Sequence, residues 1–257
     1  MTTYTAGRGP HRSEPTASAP LAAPALRAMA APTGPHSVGT ISLHLADCHR
    51  PAPGIAAKPS RELMVDVRYP AREVERYERA PGAFAHQDAP PALDPSGPRP
   101  VVLCSPGVGE ARSERTRLAD ELASHGYVVV ILDHGDDARS AGFPRGRAAD
   151  GGAADGRVAD VRFALDQLVS LAPGVLDLSR IGWFGGFAGC AAELTALHED
   201  PRITAIADLD GHIADPDGHP AAARTDDPRV PLVTFFDRRL RGREEPALVA
   251  TAARAGR

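Results

Sequence analysis

The alternation of polar and apolar positions predicts two strands in the first third of the chain. Residues 40–45 alternate polar and apolar side chains, the pattern of a strand with one buried face. Residues 62–69 repeat it and end before Pro70, whose ring favours a strand end. Because segments rich in glycine and proline surround both runs, we predict an antiparallel edge to a larger sheet.

Beyond residue 100 the pattern becomes an alternation of short apolar runs and helical periods. Continuous apolar runs of four to eight residues are typical of strands buried on both faces, and intervening 3–4 spacings are typical of helices. The sequence therefore predicts an α/β fold with a mostly parallel sheet covered by helices on both faces. The predicted strands are 101–104, 127–132, 181–184, 203–209 and 231–236; the predicted helices are 113–124 capped by Ser113, one starting at Asp155, and 188–198, with a loop over 140–154.

Composition narrows the class of protein. The 257 residues are 42% hydrophobic and 24% charged with a net charge of −4, which argues against a uniformly basic nucleic-acid binder. Three cysteines do not make a disulfide framework. We expect a disordered Pro/Ala-rich leader over 1–32 and a single domain over 33–257. We expect no membrane span and a cytoplasmic location, with secretion left open if the start codon is misassigned.

The segment 182–190 carries the sharpest local motif. Its order of strand, glycine turn and helix is that of the G-x-S-x-G nucleophile elbow, in which small residues flank a strained turn. Gly185 and Gly189 occupy the two glycine positions, and Phe187 stands where the nucleophile is expected. A turn that only requires glycines explains the same pattern, so the motif needs support from the rest of the chain.

Several segments in a shared order supply that support. Together they resemble the platelet-activating-factor acetylhydrolase family and the neighbouring bacterial cutinase-like esterases, a branch of the α/β-hydrolases. The resemblance spans roughly residues 33–237 and implies an α/β-hydrolase fold. The segments are 34–40, 61–70, 104–109, 123–130 with Asp133 and His134, 178–182, and 207–211.

The resemblance also implies roles for individual residues. Asp210 matches the catalytic acid at the end of a parallel strand; an Asp that caps a loop is the alternative, since Asp-Gly pairs are also common in turns. The backbone N–H groups of Val108 and Ala188 match the oxyanion donors. Pro106 stands where the family usually has a histidine that precedes the glycine of the oxyanion loop.

The triad itself is incomplete in this sequence. Phe187 has no group that can attack a carbonyl carbon. The residues after Phe236 contain no histidine, and we expect the family's last strand, histidine loop and closing helix to be missing. The resemblance therefore implies the family's fold and leaves open whether this chain is an enzyme, since serine-triad ester hydrolysis is not expected from it.

Other residues are candidates to replace the missing nucleophile and base. Cys190 follows the elbow on the first helical turn but is expected to pack as a buried apolar side chain. Ser105 is interpreted as a turn residue, and His125 and His134 as residues at the ends of elements. His212 and His219 lie on the loop of the acid. Asp208, Asp210, His212, Asp215, Asp217 and His219 have metal-binding side chains, but we interpret this run as a solvated loop and predict no metal or cofactor.

Three functions remain open for the chain. The first is a degenerate esterase relative that retains a pocket for an acyl or ester small molecule or a lipid, or that is a gene remnant. The second is a non-hydrolytic enzyme, such as a cyclase or isomerase that uses Asp210. The third is an interaction module completed by a partner chain, with self-association expected through an open sheet edge at 233–236.

Overall fold

A computed structural model describes residues 30–50, 60–80, 83–105, 112–134, 151–171, 174–185, 199–209 and 229–243. Within these ranges lie seven strands and three α-helices. The strands are β1 (Ser37–Asp47), β2 (Arg61–Ala71), β3 (His86–Gln87), β4 (Arg99–Ser105), β5 (Val128–Asp133), β6 (Leu176–Gly185) and β7 (Ile203–Asp208); the helices are α1 (Arg112–Ser124), α2 (Gly151–Leu171) and α3 (Arg229–Arg241).

All seven strands form one mixed sheet in the order β3-β1-β2-β5-β4-β6-β7. The strands β5, β4, β6 and β7 are mutually parallel, whereas β1 pairs with β2, and β2 with β5, in the antiparallel sense. The predicted antiparallel edge and parallel back half are both confirmed. β2 continues through Pro70, because its pairing with β5 ends at Arg68 and the missing N–H of Pro70 breaks no bond on that side.

Helices cover both faces of the parallel strands, as the apolar runs predict. One apolar cluster joins Val161 and Leu165 of α2 to alternate residues of β4, β5 and β6, including Trp183. The other joins α1 and α3 to the opposite face, where Phe184 contacts Phe236. Alternate residues of the strands therefore pack into two cores, one on each face of the sheet. Helices on both faces of a mostly parallel sheet make the fold α/β.

The starts of two helices differ from the predicted caps. α1 begins at Arg112 and α2 at Gly151, so Ser113 and Asp155 lie inside the helices. The end of the predicted loop 140–154 therefore belongs to α2. The first turn of α2 is rich in glycine and alanine, and it has none of the apolar periodicity from which a helix start is recognised.

The strand predicted over 231–236 is wrong, because these residues form part of α3. Leu232, Phe236 and Leu240 are four residues apart and at most 3% exposed, which is the spacing of one helix face. A short apolar run fits a buried strand or a helix equally well. Pro231 is compatible with α3 because it lies in the first turn, where backbone N–H groups have no partner within the helix.

Residues 1–29 and 244–257 lie outside the described residues, so the leader over 1–32 and the domain over 33–257 stay predictions. None of the helices that the structure describes is long and apolar enough to cross a membrane.

Candidate functional site

The end of β6 is the point after which the sequence predicts the elbow. Its last residue, Gly185, pairs with Ser105 on β4 and with Asp208 on β7. A Cβ atom at Gly185 would lie 2.5 Å from the carbonyl oxygen of Ser105 and 2.4 Å from the Trp183 ring, so the strands can approach only around a glycine. Phe187, Ala188, Gly189 and Cys190 lie outside the described residues, as do Val108 and the Asp and His side chains from 210 to 219.

The predicted catalytic acid, Asp210, follows the neighbouring strand, β7. β7 ends at Asp208, and the Leu209 N–H donates a 2.8 Å hydrogen bond to the carbonyl oxygen of Gly185. Leu209, the last described residue before Asp210, therefore lies beside the end of β6. Asp210 itself is outside the described residues, so its role as the acid stays a prediction.

A chain of hydrogen bonds that the sequence did not reveal lies at the same edge of the sheet. The Ser105 hydroxyl is 2.7 Å from His134 Nε2, and His134 Nδ1 is 2.8 Å from Asp160 Oδ2. All three residues are at most 2% exposed. Ser105 is the last residue of β4 and His134 directly follows β5, so both parallel strands deliver their side chains to the carboxyl edge. Ser105 is therefore a strand residue and not the predicted turn residue.

Three arginines surround this chain of hydrogen bonds. Arg61 donates to Asp160 Oδ2 at 2.7 Å, and Arg50 donates to Asp160 Oδ1 at 2.9 Å. Burial alone would raise the pKa of the Asp160 carboxyl, but hydrogen bonds from His134 and Arg61 outweigh it and lower this pKa to about 2. The third, Arg157, places Nη2 3.4 Å from Ser105 Oγ.

The ionised carboxylate fixes the protonation of the ring. Because an ionised carboxylate can only accept, His134 Nδ1 must carry the proton that faces Asp160. In the neutral ring Nε2 is then the acceptor, and the Ser105 hydroxyl donates to it. Nucleophile, base and orienting carboxylate are thus connected in the order that characterises serine-triad chemistry.

The sequence contained weak signals for this cluster. Asp160 interrupts the apolar stripe of α2 between Val158 and Val161, and Arg61 opens a strand whose alternate residues are buried. Charged residues at core positions require partners, so each was a sign of an internal network. No spacing rule connects positions 61, 105, 134 and 160, which only the sheet brings together.

A cavity of about 350 Å³ lies elsewhere in the described part of the chain. Its lining includes Arg99, Arg180 and Arg241 together with His36 and Asp94. Arg99 begins β4, so the cavity is at the amino end of that strand and away from the elbow. This basic pocket therefore does not correspond to the predicted acyl pocket.

The described residues contain no group of three or more His, Cys, Asp or Glu side chains that could hold a metal ion. The run from Asp208 to His219 was the sequence's candidate for such a group, and its side chains lie outside the described residues.

A comparison with solved structures identifies the fold as that of an α/β-hydrolase. The fold of a ferulic acid esterase from Streptomyces cinnamoneus is similar, with a TM-score of 0.62 at 25% identity, and the match covers 87% of this chain and 96% of that one. A dienelactone hydrolase from Anabaena variabilis gives a TM-score of 0.42 at 15% identity over 66% of this chain and 62% of that one. The predicted α/β-hydrolase fold is confirmed.

The sequence comparison adds a similarity to one curated relative. The chain is 32% identical over 124 residues to a protein of Arthroderma benhamiae named a probable 1-alkyl-2-acetylglycerophosphocholine esterase. That match covers 44% of this chain and 31% of the relative, so the chain spans about a third of the relative's length. No family model matches the chain. The resemblance to the platelet-activating-factor acetylhydrolase-like esterases is confirmed.

Proposed function

We propose that this chain is an esterase-like α/β-hydrolase that binds an acyl or ester small molecule, and that it does not hydrolyse this molecule through the elbow. Phe187 carries the proposal, because a phenyl ring can neither attack a carbonyl carbon nor be activated by a base. The relative's name points to an acetylated glycerophospholipid as the class of ligand. The carboxyl edge, where β6 leads into the elbow, is the place where ligands bind in sheets of this kind.

We expect no turnover of 1-alkyl-2-acetylglycerophosphocholine or of short aryl esters that depends on Asp210. Without a nucleophile at the elbow, oxyanion contacts and binding leave only ~10³–10⁴-fold over water. Product release by the purified chain is compared with that of Asp210→Asn and, as a matched control on the same polar run, Asp215→Asn. Saturable hydrolysis that Asp210→Asn abolishes and Asp215→Asn preserves would contradict the proposal.

Binding is measured separately from turnover. Trp183 is the only tryptophan of the chain and lies two residues before Gly185, so its fluorescence reports on the edge where the elbow begins. Titration with 1-alkylglycerophosphocholine, which carries no acetyl ester, is expected to change this fluorescence saturably. A titration that leaves the fluorescence unchanged would contradict the proposal that the chain binds such a molecule.

Self-association through a sheet edge stays a prediction, and it now concerns β7. This strand ends the sheet order of the described residues, whereas the residues predicted to form the edge, 233–236, belong to α3. An edge strand offers a row of backbone groups to a second chain. Light scattering on the eluting protein should give a mass above 26.9 kDa for the full chain, and a monomer at all concentrations would contradict this.

A further inference from the structure

We propose that Ser105, His134 and Asp160 form a nucleophile site separate from the predicted elbow, at which Ser105 Oγ accepts a small acyl or sulfonyl group. This goes beyond the proposed function, because it places the reacting oxygen on β4 and requires neither Phe187 nor Asp210. The two proposals can therefore fail independently.

The geometry of the cluster is that of an activated serine. Ser105 Oγ lies 2.7 Å from His134 Nε2, and the ring is held by Asp160 through a 2.8 Å hydrogen bond. A nucleophile within hydrogen-bonding distance of a base, with the base oriented by a third group, is the diagnostic arrangement of nucleophilic catalysis.

Charge around the cluster favours the transfer of the serine proton. The carboxylate of Asp160 stabilises the imidazolium that forms when His134 takes the proton. Arg157 lies 3.4 Å from Ser105 Oγ and stabilises negative charge that develops on or near that oxygen. Because all four side chains are at most 9% exposed, these interactions are screened far less than on the surface.

Other buried hydroxyls of this chain show what a structural role looks like. The Ser124 hydroxyl donates to the carbonyl oxygen of Glu121 at 2.7 Å, and Thr40 Oγ1 accepts from Arg68. Neither bond connects the hydroxyl to a group that can take its proton at neutral pH. Ser105 differs because its partner in the cluster is an imidazole nitrogen.

The position of Ser105 determines the class of reagent. It ends β4 at the carboxyl edge and pairs with Gly185, so it lies one strand away from the start of the elbow. Its residual exposure of 1% favours a small, activated group over a bulky phospholipid.

The reaction step balances without a further cofactor. With 4-nitrophenyl acetate, the Ser105 proton moves to His134 Nε2 as the Oγ–C bond forms, and the bond from the acetyl carbon to the nitrophenolate oxygen breaks. With phenylmethanesulfonyl fluoride, the Oγ–S bond forms, the S–F bond breaks and fluoride leaves. In both cases the proton on His134 then passes to the leaving group or to solvent.

The test is labelling of the full chain with phenylmethanesulfonyl fluoride, followed by intact mass and peptide mapping. We expect one adduct per chain, located on Ser105. Ser105→Ala should abolish labelling, and His134→Gln should slow it by ~10²–10⁴-fold, which is the usual contribution of a general base. Ser124→Ala, which removes a buried hydroxyl of structural role, should label as the wild type does.

Localisation of the adduct in the wild type decides the proposal even if a variant fails to fold. An adduct on another residue, or no adduct while melting curves show a folded protein, would overturn it. Labelling at Ser105 that His134→Gln leaves unchanged in a folded variant would also overturn it. None of these results bears on the predicted elbow. Its expected lack of hydrolytic activity is tested by the Asp210→Asn comparison.

Discussion

Replacing Asp160 with alanine is expected to destabilise the protein by about 3–5 kcal/mol, the usual cost of breaking a buried ion pair from one side. The Asp160 side chain is fully buried and accepts hydrogen bonds from Arg61, Arg50 and His134. Without it Arg61, whose side chain is only 9% exposed, loses a buried carboxylate partner. Arg50 is affected less, because Asp47 also binds it at 2.6 Å.

Urea unfolding with a matched pair of variants measures this effect. Glu73→Ala removes a carboxylate from the exposed Arg72–Glu73 pair, where at most about 1 kcal/mol is expected. Asp160→Asn keeps the shape and two acceptor sites of the side chain and should lie between the two. A decrease in the free energy of unfolding of less than about 1 kcal/mol for Asp160→Ala would show that water or another group replaces Asp160 as a partner of Arg61.

The sheet could be predicted from the sequence because its strands are buried on both faces. Runs such as 101–104 and 181–184 are apolar throughout, which leaves a parallel sheet between helix layers as the consistent architecture. The hairpin of β1 and β2 was visible for the opposite reason, since one of its faces is polar. Burial pattern, and not local propensity, carried both predictions.

The cluster around Asp160 could not be predicted, because its members are far apart in the chain. His134 and Ser105 are 29 residues apart, and Asp160 is 26 residues beyond His134. Each is an ordinary residue in its local context: a residue after a strand, a strand-end serine and a helix aspartate. Their relation depends on strand order, which places β5 beside β4, and on the packing of α2 over that face.

The composition of 231–236 does not distinguish a helix from a strand, because a buried helix face and a buried strand share the same local composition. The distinguishing feature is the spacing to Leu240, four residues after Phe236, which continues the helical face beyond the run. On α3 this face packs against β6, and that contact can be tested directly.

Phe236→Ala is expected to destabilise the protein by about 3–5 kcal/mol, because the ring is completely buried and contacts both Phe184 and Tyr127. Gly182 lies beneath this ring on β6, and a Cβ atom added there would meet the Phe236 ring at 2.5 Å. Gly182→Ala alone should therefore cost about 1–3 kcal/mol by overpacking.

The double variant separates this packing from a general loss of stability. Once Phe236 is alanine, the two ring atoms nearest to the added methyl of Gly182→Ala are gone, and the next atom, at the flexible end of Leu240, lies at 3.1 Å. In the Phe236→Ala background the glycine substitution should therefore be nearly neutral, giving a favourable coupling of about 1–3 kcal/mol between the two sites. Urea midpoints of the wild type, both single variants and the double variant provide the cycle. Additive losses would mean that Phe236 and Gly182 do not touch, and the packing of α3 on β6 would be contradicted.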